Sequence, residues 1–378
     1  MKIQIIQFSD IHFKEKNNSL LQKKDQLFDA LKNELTDDTI LLVSGDSAFS
    51  GTKSEFNIAN DFYSEVIRKL NDYSKKEVKL IIIPGNHDCQ DLIEKDPVRK
   101  SLLDVIQKPQ TTSEIELIRV ISKNLSNYYS FEEQSNRDLD IIYTSEILKV
   151  YKLEKESKCI LFYCYNTAFQ SILHEIPGKM IFPLDLIEDK TFQIKADLKI
   201  SCLHHPFHWL NPESNRNFKS HIERTSDFYF TGHEHIDSKS LMSDLEDNFV
   251  YHIEGDVLQD SETENQSGFN LVNVNFETNL FQVKNFKWNG ERYKESENIA
   301  NWNSLKRGTL KINNPYQLTE TFKAKLNDIG ANFSHPNISQ VKLSDIYVYP
   351  NLELLNQVEE DKENVSVLTI NSEDLLNN

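Results

Sequence analysis

One short stretch, KLIIIPGNHD at Lys79–Asp88, constrains the fold of this chain more than any other. The apolar run Leu80–Ile83 predicts a strand that is buried on both faces, and Pro84-Gly85 ends it abruptly. In α/β enzymes, polar groups at the end of a buried strand face a crevice at the carboxyl edge of the sheet. Three side chains that can bind metal or transfer protons stand at this strand end: Asn86, His87 and Asp88.

Four further apolar strands end in the same kind of polar group. They are Lys2–Ser9 before Asp10 and His12, Thr39–Ser44 before Asp46, Leu198–Leu203 before His204 and His205, and Phe228–Thr231 before His233 and His235. Amphipathic helices are predicted between the first three strands, one capped by Ser19 and reaching Leu35 and one capped by Ser54 and reaching Leu70. This alternation predicts parallel strands joined by right-handed crossovers, which makes the fold class α/β.

The rest of the chain predicts additions to that core. Cys89–Asp140 is polar with helical periodicity and indicates a helical insertion, and Thr167–Asp197 is irregular enough to form loops over a site. Between Phe249 and Trp288 the hairpin-like alternation favours a second sheet packed on the first. We therefore expect one catalytic domain over residues 1–290, with the insertion at 89–140, and a C-terminal extension over 291–378.

Composition limits the location and the partners. The four cysteines form no CxxC pair and indicate reduced thiols in a cytoplasmic protein. No apolar run reaches the roughly 18 residues of a membrane span, and the N-terminus follows a strand pattern rather than that of a signal peptide. A net charge of -17 argues against coating of nucleic acid by the whole surface, but bound cations would still allow a nucleic-acid substrate.

The polar groups at the five strand ends suit metal chemistry. Imidazole, carboxylate and amide ligands together favour Mn, Fe, Zn or Ni over calcium. Asp46, alone after a Ser-Gly turn, is the natural carboxylate to bridge two cations. Two ions roughly 3.5–4 Å apart would stabilise both the attacking and the leaving oxygen of a phosphoryl transfer.

The five blocks D-x-H, GD, GNHD, H-x-P and GHxH occur in the order found in calcineurin-like metallophosphoesterases, which the chain resembles over about residues 1–290. The resemblance implies a four-layer αββα sandwich with the site at the strand ends. It implies that one metal is held by Asp10, His12, Asp46 and His235, and the other by Asp46, Asn86, His204 and His233. Manganese is the first choice, with Fe, Zn, Ni or Mg as alternatives. It also implies that His87 protonates the leaving oxygen, with Asp88 in support.

Other interpretations of these residues stay open at this stage. Asp10 and Asp46 are also suited to turns, and His87 could be a third metal contact. We expect His205 and His208 to pack in the protein or to support the metal ligands indirectly. The alternative is that either of them contacts the phosphate of the substrate. Glu234 is expected to point away from the metals and Cys89 to be buried. A non-catalytic copy of the fold would be expected to lack ligands, and none is missing.

Departures from the protein Ser/Thr phosphatase pattern narrow the substrate. That branch carries GDxxDRG and GNHE, whereas here SAFSG follows Asp46 and the later block ends in Asp88. The arginines that clamp phosphate in that branch are therefore missing from this motif. The pattern is more similar to cyclic-nucleotide phosphodiesterases and repair nucleases, which implies a phosphodiester substrate in nucleic acid or a nucleotide.

The C-terminal region carries a second resemblance. Val341–Leu355 and the ending INSEDLL are similar to the linker before the nucleotide-binding domain of signal-transduction ATPases in bacterial defence. This implies an effector segment with a C-terminal NTPase domain or a homo-oligomer as partner. The alternatives are an ordinary extension that packs on the catalytic domain, or a ligand-sensing or scaffold module that binds a partner through the apolar strip Leu343–Tyr349.

Overall fold

The structure is a computed structural model, and it describes part of the chain. The described residues are 1–35, 37–90, 96–107, 114–135, 139–172, 174–234, 239–243, 249–260, 266–296, 302–305, 351–354 and 368–371; for 239–243, 249, 351–354 and 368–371 the backbone alone is described. Two compact units divide the chain, Met1–Leu310 and Lys311–Asn378.

Six α-helices and fourteen strands are described in the first unit. The helices are α1 (Ser19–Lys32), α2 (Lys53–Ser74), α3 (Pro97–Ile106), α4 (Ile115–Ile121), α5 (Ser126–Ser135) and α6 (Pro212–Thr225). The strands are β1 (Lys2–Phe8), β2 (Asp38–Val43), β3 (Lys79–Ile82), β4 (Asp140–Thr144), β5 (Leu148–Lys155), β6 (Lys158–Tyr165), β7 (Leu198–Cys202), β8 (Phe228–Thr231), β9 (Lys239–Ser243), β10 (Phe249–Glu254), β11 (Gly268–Asn275), β12 (Leu280–Trp288), β13 (Tyr293–Glu295) and β14 (Asn303–Ser304).

The strands form two mixed sheets. The first sheet has the order β13-β12-β11-β1-β2-β3, with β14 paired to β12, and the second has the order β4-β5-β6-β7-β8-β10-β9. β1, β2 and β3 are parallel, as the alternation of strand and helix predicts, and so are β6, β7 and β8. The carboxyl ends of the parallel strands in each sheet therefore lie at one edge.

Residues that alternate along the central strands supply three apolar layers. In β1, Ile3 and Ile5 pack between the sheets, whereas Ile6 and Phe8 pack on the outer face of the first sheet together with α1, α2 and α5. A third cluster joins the outer face of the second sheet to α3, α4 and α6. The order helix, sheet, sheet, helix confirms the predicted αββα class, because strands buried on both faces need cover on both sides.

The hairpin-like strands take a different place from the one predicted. β11 pairs antiparallel with β1 and β12 with β11, so both extend the first sheet, while the second sheet is built around β6, β7 and β8. The hairpin β4–β5, which the sequence analysis leaves inside the insertion or unassigned, extends that second sheet. Alternation along one strand identifies the strand but does not identify the neighbour with which it pairs.

Both predicted helix caps are displaced. α1 starts after Asn18 rather than being capped by Ser19, and it ends at Lys32. In α2 the capping residue is Thr52, not Ser54, because Thr52 and Glu55 form a reciprocal capping box. The described residues of the predicted insertion include α3, α4 and α5, and its bounds stay a prediction.

The second unit has one described element, an antiparallel pair of strands, β15 (Asn351–Leu354) and β16 (Leu368–Asn371). The strip Leu343–Tyr349 lies outside the described residues, so the predictions for it are untested. The boundary after residue 290 also stays a prediction; β13 and β14, which follow it, pair with β12. Within the described ranges, no helix combines the length and the apolar character needed to cross a bilayer.

Candidate metal centre

The loops after β1 and β2 run side by side beyond the sheet. The carbonyl oxygen of Asp46 accepts hydrogen bonds from the backbone N–H groups of Ile11 and His12, both at 2.9 Å. A further parallel bridge joins Phe13 to Ala48. These backbone contacts bring the D-x-H and GD blocks together before any side chain is considered.

Four predicted ligands have left-handed backbone. The φ angles are 51° at Asp10, 55° at His12, 58° at Asp46 and 77° at His233. Residues with a Cβ rarely adopt this region, and such strain concentrates at functional sites. The ends of three strands, β1, β2 and β8, therefore share a left-handed turn that carries predicted ligands.

Asp46 is the centre of the cluster. Its Oδ2 lies 3.2 Å from His12 Nε2 and 3.2 Å from His204 Nε2, while its Oδ1 accepts the backbone N–H of His87 at 2.8 Å. His12 and His204 belong to different predicted metal sets. One carboxylate oxygen thus stands between one ligand of each set, which is the position that a bridging ligand requires.

The second predicted set also converges. Asn86 Oδ1 lies 3.0 Å from His204 Nε2 and 3.0 Å from His233 Nδ1. The other ring nitrogen of His204, Nδ1, is 2.8 Å from the carbonyl oxygen of Ser44, which fixes the ring. A carbonyl can only accept, so Nδ1 carries the proton and Nε2 is left to bind a cation.

Asp10 adjoins both sets. It is fully buried, and its two carboxylate oxygens accept the backbone N–H of His233 at 3.2 and 3.1 Å. Ligand atoms of Asp10, Asp46 and His204 lie within 4.8 Å of one another. His235, the remaining member of the first set, lies outside the described residues.

The buried carboxylates make the site favourable for positive charge. Burial alone would raise the pKa of Asp46, but the charges of His204 and His87 hold that pKa well below its usual range. Burial lowers the pKa of His204, but the charge of Asp46, its hydrogen bond to the ring, the charge of Asp10 and the bond to Ser44 together raise that pKa to about 10. An ionised carboxylate at this depth needs a cation, either a proton on histidine or a metal ion.

At two positions of the motifs, the surrounding atoms leave room only for glycine. A Cβ on Gly45, where φ is 104°, would lie 2.2 Å from His204 Nδ1. A Cβ on Gly85 would lie 2.1 Å from Asp46 Oδ1. The GD and GNHD blocks therefore need glycine because the backbone passes directly against a ligand side chain.

His87 lies at the edge of the cluster. Its Nδ1 donates to the carbonyl oxygen of Phe49 at 2.8 Å, and its ring centroid is 4.5 Å from that of His12. A ring nitrogen of His87 is also within 4.8 Å of ligand atoms of His12 and Asp46. Both interpretations, proton donor and third metal contact, therefore stay predictions.

Asp88 supports the backbone of the site. Its carboxylate accepts three backbone N–H groups: those of Asp46 at 3.0 Å, Gly85 at 2.9 Å and Ala48 at 2.8 Å. Burial and the charge of Asp46 raise the pKa of Asp88 to about 7, and the bonds from Ala48 and Gly85 oppose that rise. Asp88 thus connects the GD and GNHD turns, which is a different contact from the expected support of the His87 ring.

Glu175 is the residue that the sequence analysis missed. It comes from the loop that was predicted only as cover, and its side chain is 6% exposed. Its Oε2 lies 3.1 Å from His205 Nε2 and 3.9 Å from His233 Nε2. Burial would raise the pKa of Glu175, but the charge of His205 lowers it. No sequence motif marks Glu175, so its position in an irregular segment was the one signal that could have indicated a role.

The remaining histidines are held by neighbouring side chains. His205 is fully buried, and its Nδ1 lies 2.8 Å from Thr167 Oγ1. Exposed His208 and Trp209 both contact Glu234 Oε1, at 2.5 and 3.1 Å. A ligand atom of His205 also lies within 4.8 Å of ligand atoms of His204 and His233, so the indirect roles expected for His205 and His208 stay predictions.

The expectations for cysteine are confirmed. Cys89 is 2% exposed, and its Sγ lies 3.5 Å from the carbonyl oxygen of Ala168. All four cysteines are free thiols.

The donor set fits divalent transition metals. Histidine nitrogens, aspartate oxygens and one amide oxygen converge, and glycines leave no competing side chain among them. The residues that would hold the ions are Asp10, His12, Asp46, Asn86, His204 and His233.

Comparisons with known proteins agree with this geometry. The family model described as calcineurin-like phosphoesterase matches residues 3–237. A Bacillus subtilis (strain 168) relative, the uncharacterized metallophosphoesterase-like protein YydB, is 25% identical over 339 residues, which cover 85% of this chain and 67% of the relative.

Two solved structures are similar over most of the chain. A dimetal phosphatase from Danio rerio covers 80% of this chain and 99% of its own, with 12% identity and a TM-score of 0.40. A 5'-nucleotidase precursor from Thermus thermophilus covers 78% of this chain and 54% of its own, with 10% identity and a TM-score of 0.38. The family model alone covers more than half of the chain and includes all five strand-end blocks, so the chain belongs to the calcineurin-like phosphoesterases.

Proposed function

We propose that this chain hydrolyses phosphodiester bonds with two divalent metal ions, and that its substrate is nucleic acid or a nucleotide. Manganese is the first choice, with Fe, Zn, Ni or Mg as alternatives. The observation that carries the proposal is the position of Asp46 Oδ2, which is 3.2 Å from a histidine nitrogen of each predicted metal set. An oxygen that lies beside a ligand of each set is placed where it would bridge two cations if both were bound.

The residues of the chain have separable tasks in such a reaction. Bound as a pair, the divalent ions would stabilise the charge that develops on the attacking and leaving oxygens. His204 is oriented by Ser44, and His12 and Asp46 by the paired loops after β1 and β2. The His87 ring is held through Nδ1 by Phe49, so Nε2 is the nitrogen that would give a proton to the leaving oxygen.

The segment after Asp46 supports a diester rather than a phosphoprotein substrate. Ser47 and Ala48 are fully buried, Ser47 Oγ lies 2.9 Å from Tyr63 Oη, and the Ala48 N–H is bonded to Asp88. The Ser/Thr phosphatase pattern GDxxDRG would place its aspartate and arginine at the next two positions, where this chain has the uncharged residues Phe49 and Ser50. The proposal that the substrate is a nucleotide or nucleic acid rests on this difference from the Ser/Thr phosphatase motif.

Hydrolysis of bis-p-nitrophenyl phosphate with added Mn²⁺ tests the proposal. Asp46→Ala removes a ligand from both ions, so we expect activity to fall by at least about 10³-fold and bound metal to fall below two ions per chain. Asp61→Ala, an exposed change on α2, is the matched control and should keep both. Full activity in Asp46→Ala would refute the assignment.

We further propose that the chain is the effector part of a larger bacterial defence protein. The match to the B. subtilis relative covers 85% of the chain, which is more than the predicted domain 1–290 alone. The alternative is a scaffold module that binds a partner through Leu343–Tyr349. Substitutions at Asp345, Ile346 and Tyr347 that abolish assembly but spare hydrolysis would favour the scaffold role, whereas no effect on assembly would exclude it.

A further inference from the structure

Lys14 lies close to the candidate metal centre, because its ammonium contacts the Phe49 ring, whose centroid is 6.3 Å from that of the His12 ring. It follows the ligand His12 by two residues, and its Nζ is 4.3 Å from the centroid of the Phe49 ring. A cation over an aromatic face at this distance is attracted by the ring and loses part of its freedom. The ammonium group is therefore held near the site rather than extended into solvent.

The backbone of Lys14 is also fixed. Its N–H donates to Asn18 Oδ1 at 2.9 Å, and Asn18 Nδ2 returns a bond to its carbonyl oxygen at 2.7 Å. Buried Gln259 contacts Asn18 Oδ1 at 3.2 Å. The adjacent Phe13 pairs with the loop that carries Phe49, so the lysine and the ring come from two loops bound to each other.

No acidic side chain neutralises Lys14 in the part of the chain that the structure describes. Lys24 and Lys149, in contrast, pair with Glu65 and Glu132 at 2.9 and 2.7 Å. A chain with a net charge of -17 has many acidic groups that could neutralise a lysine. An unneutralised cation beside the site is therefore a candidate for binding an anion from outside the protein.

Phe49 connects Lys14 to the proposed acid. Its ring centroid is 5.4 Å from that of His87 at an interplanar angle of 33°, and its carbonyl oxygen holds His87 Nδ1. Because Phe49 contacts both groups, Lys14 Nζ lies no more than about 10 Å from the centroid of the His87 ring. His87 is the proposed donor of a proton to the leaving oxygen, so a phosphate that follows on the leaving-group side is the one that Lys14 would contact.

We infer that Lys14 and Phe49 form a phosphate subsite on the leaving-group side, which selects a nucleic-acid strand over a substrate with a single phosphate. The inference rests on the proposed function, because it takes the reaction to be phosphodiester hydrolysis. The inference adds a contact to a second phosphate, and this contact narrows the proposed substrate to a nucleic-acid strand. Lysine is a point charge that suits a phosphate of variable orientation.

The test compares two substrates in the full chain with Mn²⁺. Dithymidine monophosphate has one phosphate, and a short oligothymidylate offers the next one. Lys14→Ala should lower the ratio of kcat/KM for the oligomer to that for the dinucleotide by roughly tenfold, as expected for one charged contact. Lys14→Arg should restore most of the ratio, and exposed Lys16→Ala, with the same loss of charge, should leave it unchanged.

Oligothymidylate binding without metal gives a second readout that does not need turnover. The slope of log K against log salt should decrease in magnitude by about one in Lys14→Ala, as for one lost phosphate contact, and stay constant in Lys16→Ala. An unchanged ratio and slope, or an equal loss on both substrates, would overturn the subsite. If the wild type cleaves neither substrate, the proposed function fails, and the slope still decides whether Lys14 binds phosphate.

Discussion

The two halves of the candidate metal centre are held in different ways. The first-sheet half, formed by the loops after β1, β2 and β3, is fixed through the backbone: the Asp46 carbonyl oxygen accepts two N–H groups, and Asp88 accepts three more. The second-sheet half, formed by the loops after β7 and β8, has a backbone bond from the Gly232 N–H to the His204 carbonyl oxygen at 3.0 Å, and side chains add to it. There Glu175 and Thr167 hold His205, and the Trp209 ring lies 4.2 Å from that of His233.

This difference explains why sequence motifs mark the contacts that hold the first-sheet half but not those that hold the second-sheet half. Backbone contacts demand particular residues at fixed spacing, such as the glycines of GD and GNHD, and so they leave a motif. Side-chain contacts between distant segments leave none, since any loop of suitable length can deliver a carboxylate. Variants that damage one half and spare the other should therefore separate motif residues from their unmarked support.

The largest difference in bound metal and in rate is expected between two variants. One removes His204, a ligand in the second-sheet half, and the other replaces His87, the proposed acid in the first-sheet half. His204→Ala removes a ligand that lies 3.2 Å from Asp46 and 3.0 Å from Asn86, so bound metal should drop below two ions and the rate should fall sharply. His87→Asn should keep two ions and lower the rate on nucleotide diesters by roughly 10²–10⁴-fold. Metal analysis and rates on both substrate types measure the contrast.

A leaving group that needs no proton sharpens that test. p-Nitrophenolate should make His87→Asn much less damaging, while His204→Ala should affect both substrates alike. His208→Ala, at a side chain that is 53% exposed, is the control and should retain both ions. Loss of metal together with an equal loss on both substrates in His87→Asn would make His87 a metal contact instead.

Asp88→Ala tests the backbone support of the first-sheet half. It leaves three buried N–H groups without their acceptor, and each such group costs about 1–3 kcal/mol. We expect the free energy of unfolding to fall by at least ~3 kcal/mol, measured by urea denaturation of the metal-free protein. Asp61→Ala, exposed on α2, should change it by less than ~0.5 kcal/mol. Equal stability in both variants would contradict the role of Asp88.

The smallest effect is expected from Glu175→Gln in the second-sheet half. The change keeps the shape but removes the charge beside His205 and His233, so the affinity for metal should fall roughly 10–100-fold. Stability without metal should hardly change, which is the reverse of Asp88→Ala. Glu188→Gln, at a side chain that is 62% exposed, is the control for titration with Mn²⁺. Unaltered affinity in Glu175→Gln would show that His205 and His233 are positioned without it.

The sequence by itself determined the αββα class, the parallel core and the residues at the strand ends. Continuous apolar runs such as Leu80–Ile83 require cover on both faces, and polar groups just beyond them have one edge of the sheet in common. The structure brings together Asp10, His12, Asp46, Asn86, His204 and His233, which lie on five separate segments.

Only the tertiary structure decided the pairing of β11 and β12 with the first sheet, the task of Asp88 and the presence of Glu175. Alternation along a strand fixes which face is apolar, but the partner strand depends on the edge that the rest of the fold leaves open. Glu175 is 30 residues from His205 along the chain, and its value comes from burial and distance. Those quantities exist only once separate segments pack against each other, because no local spacing encodes them.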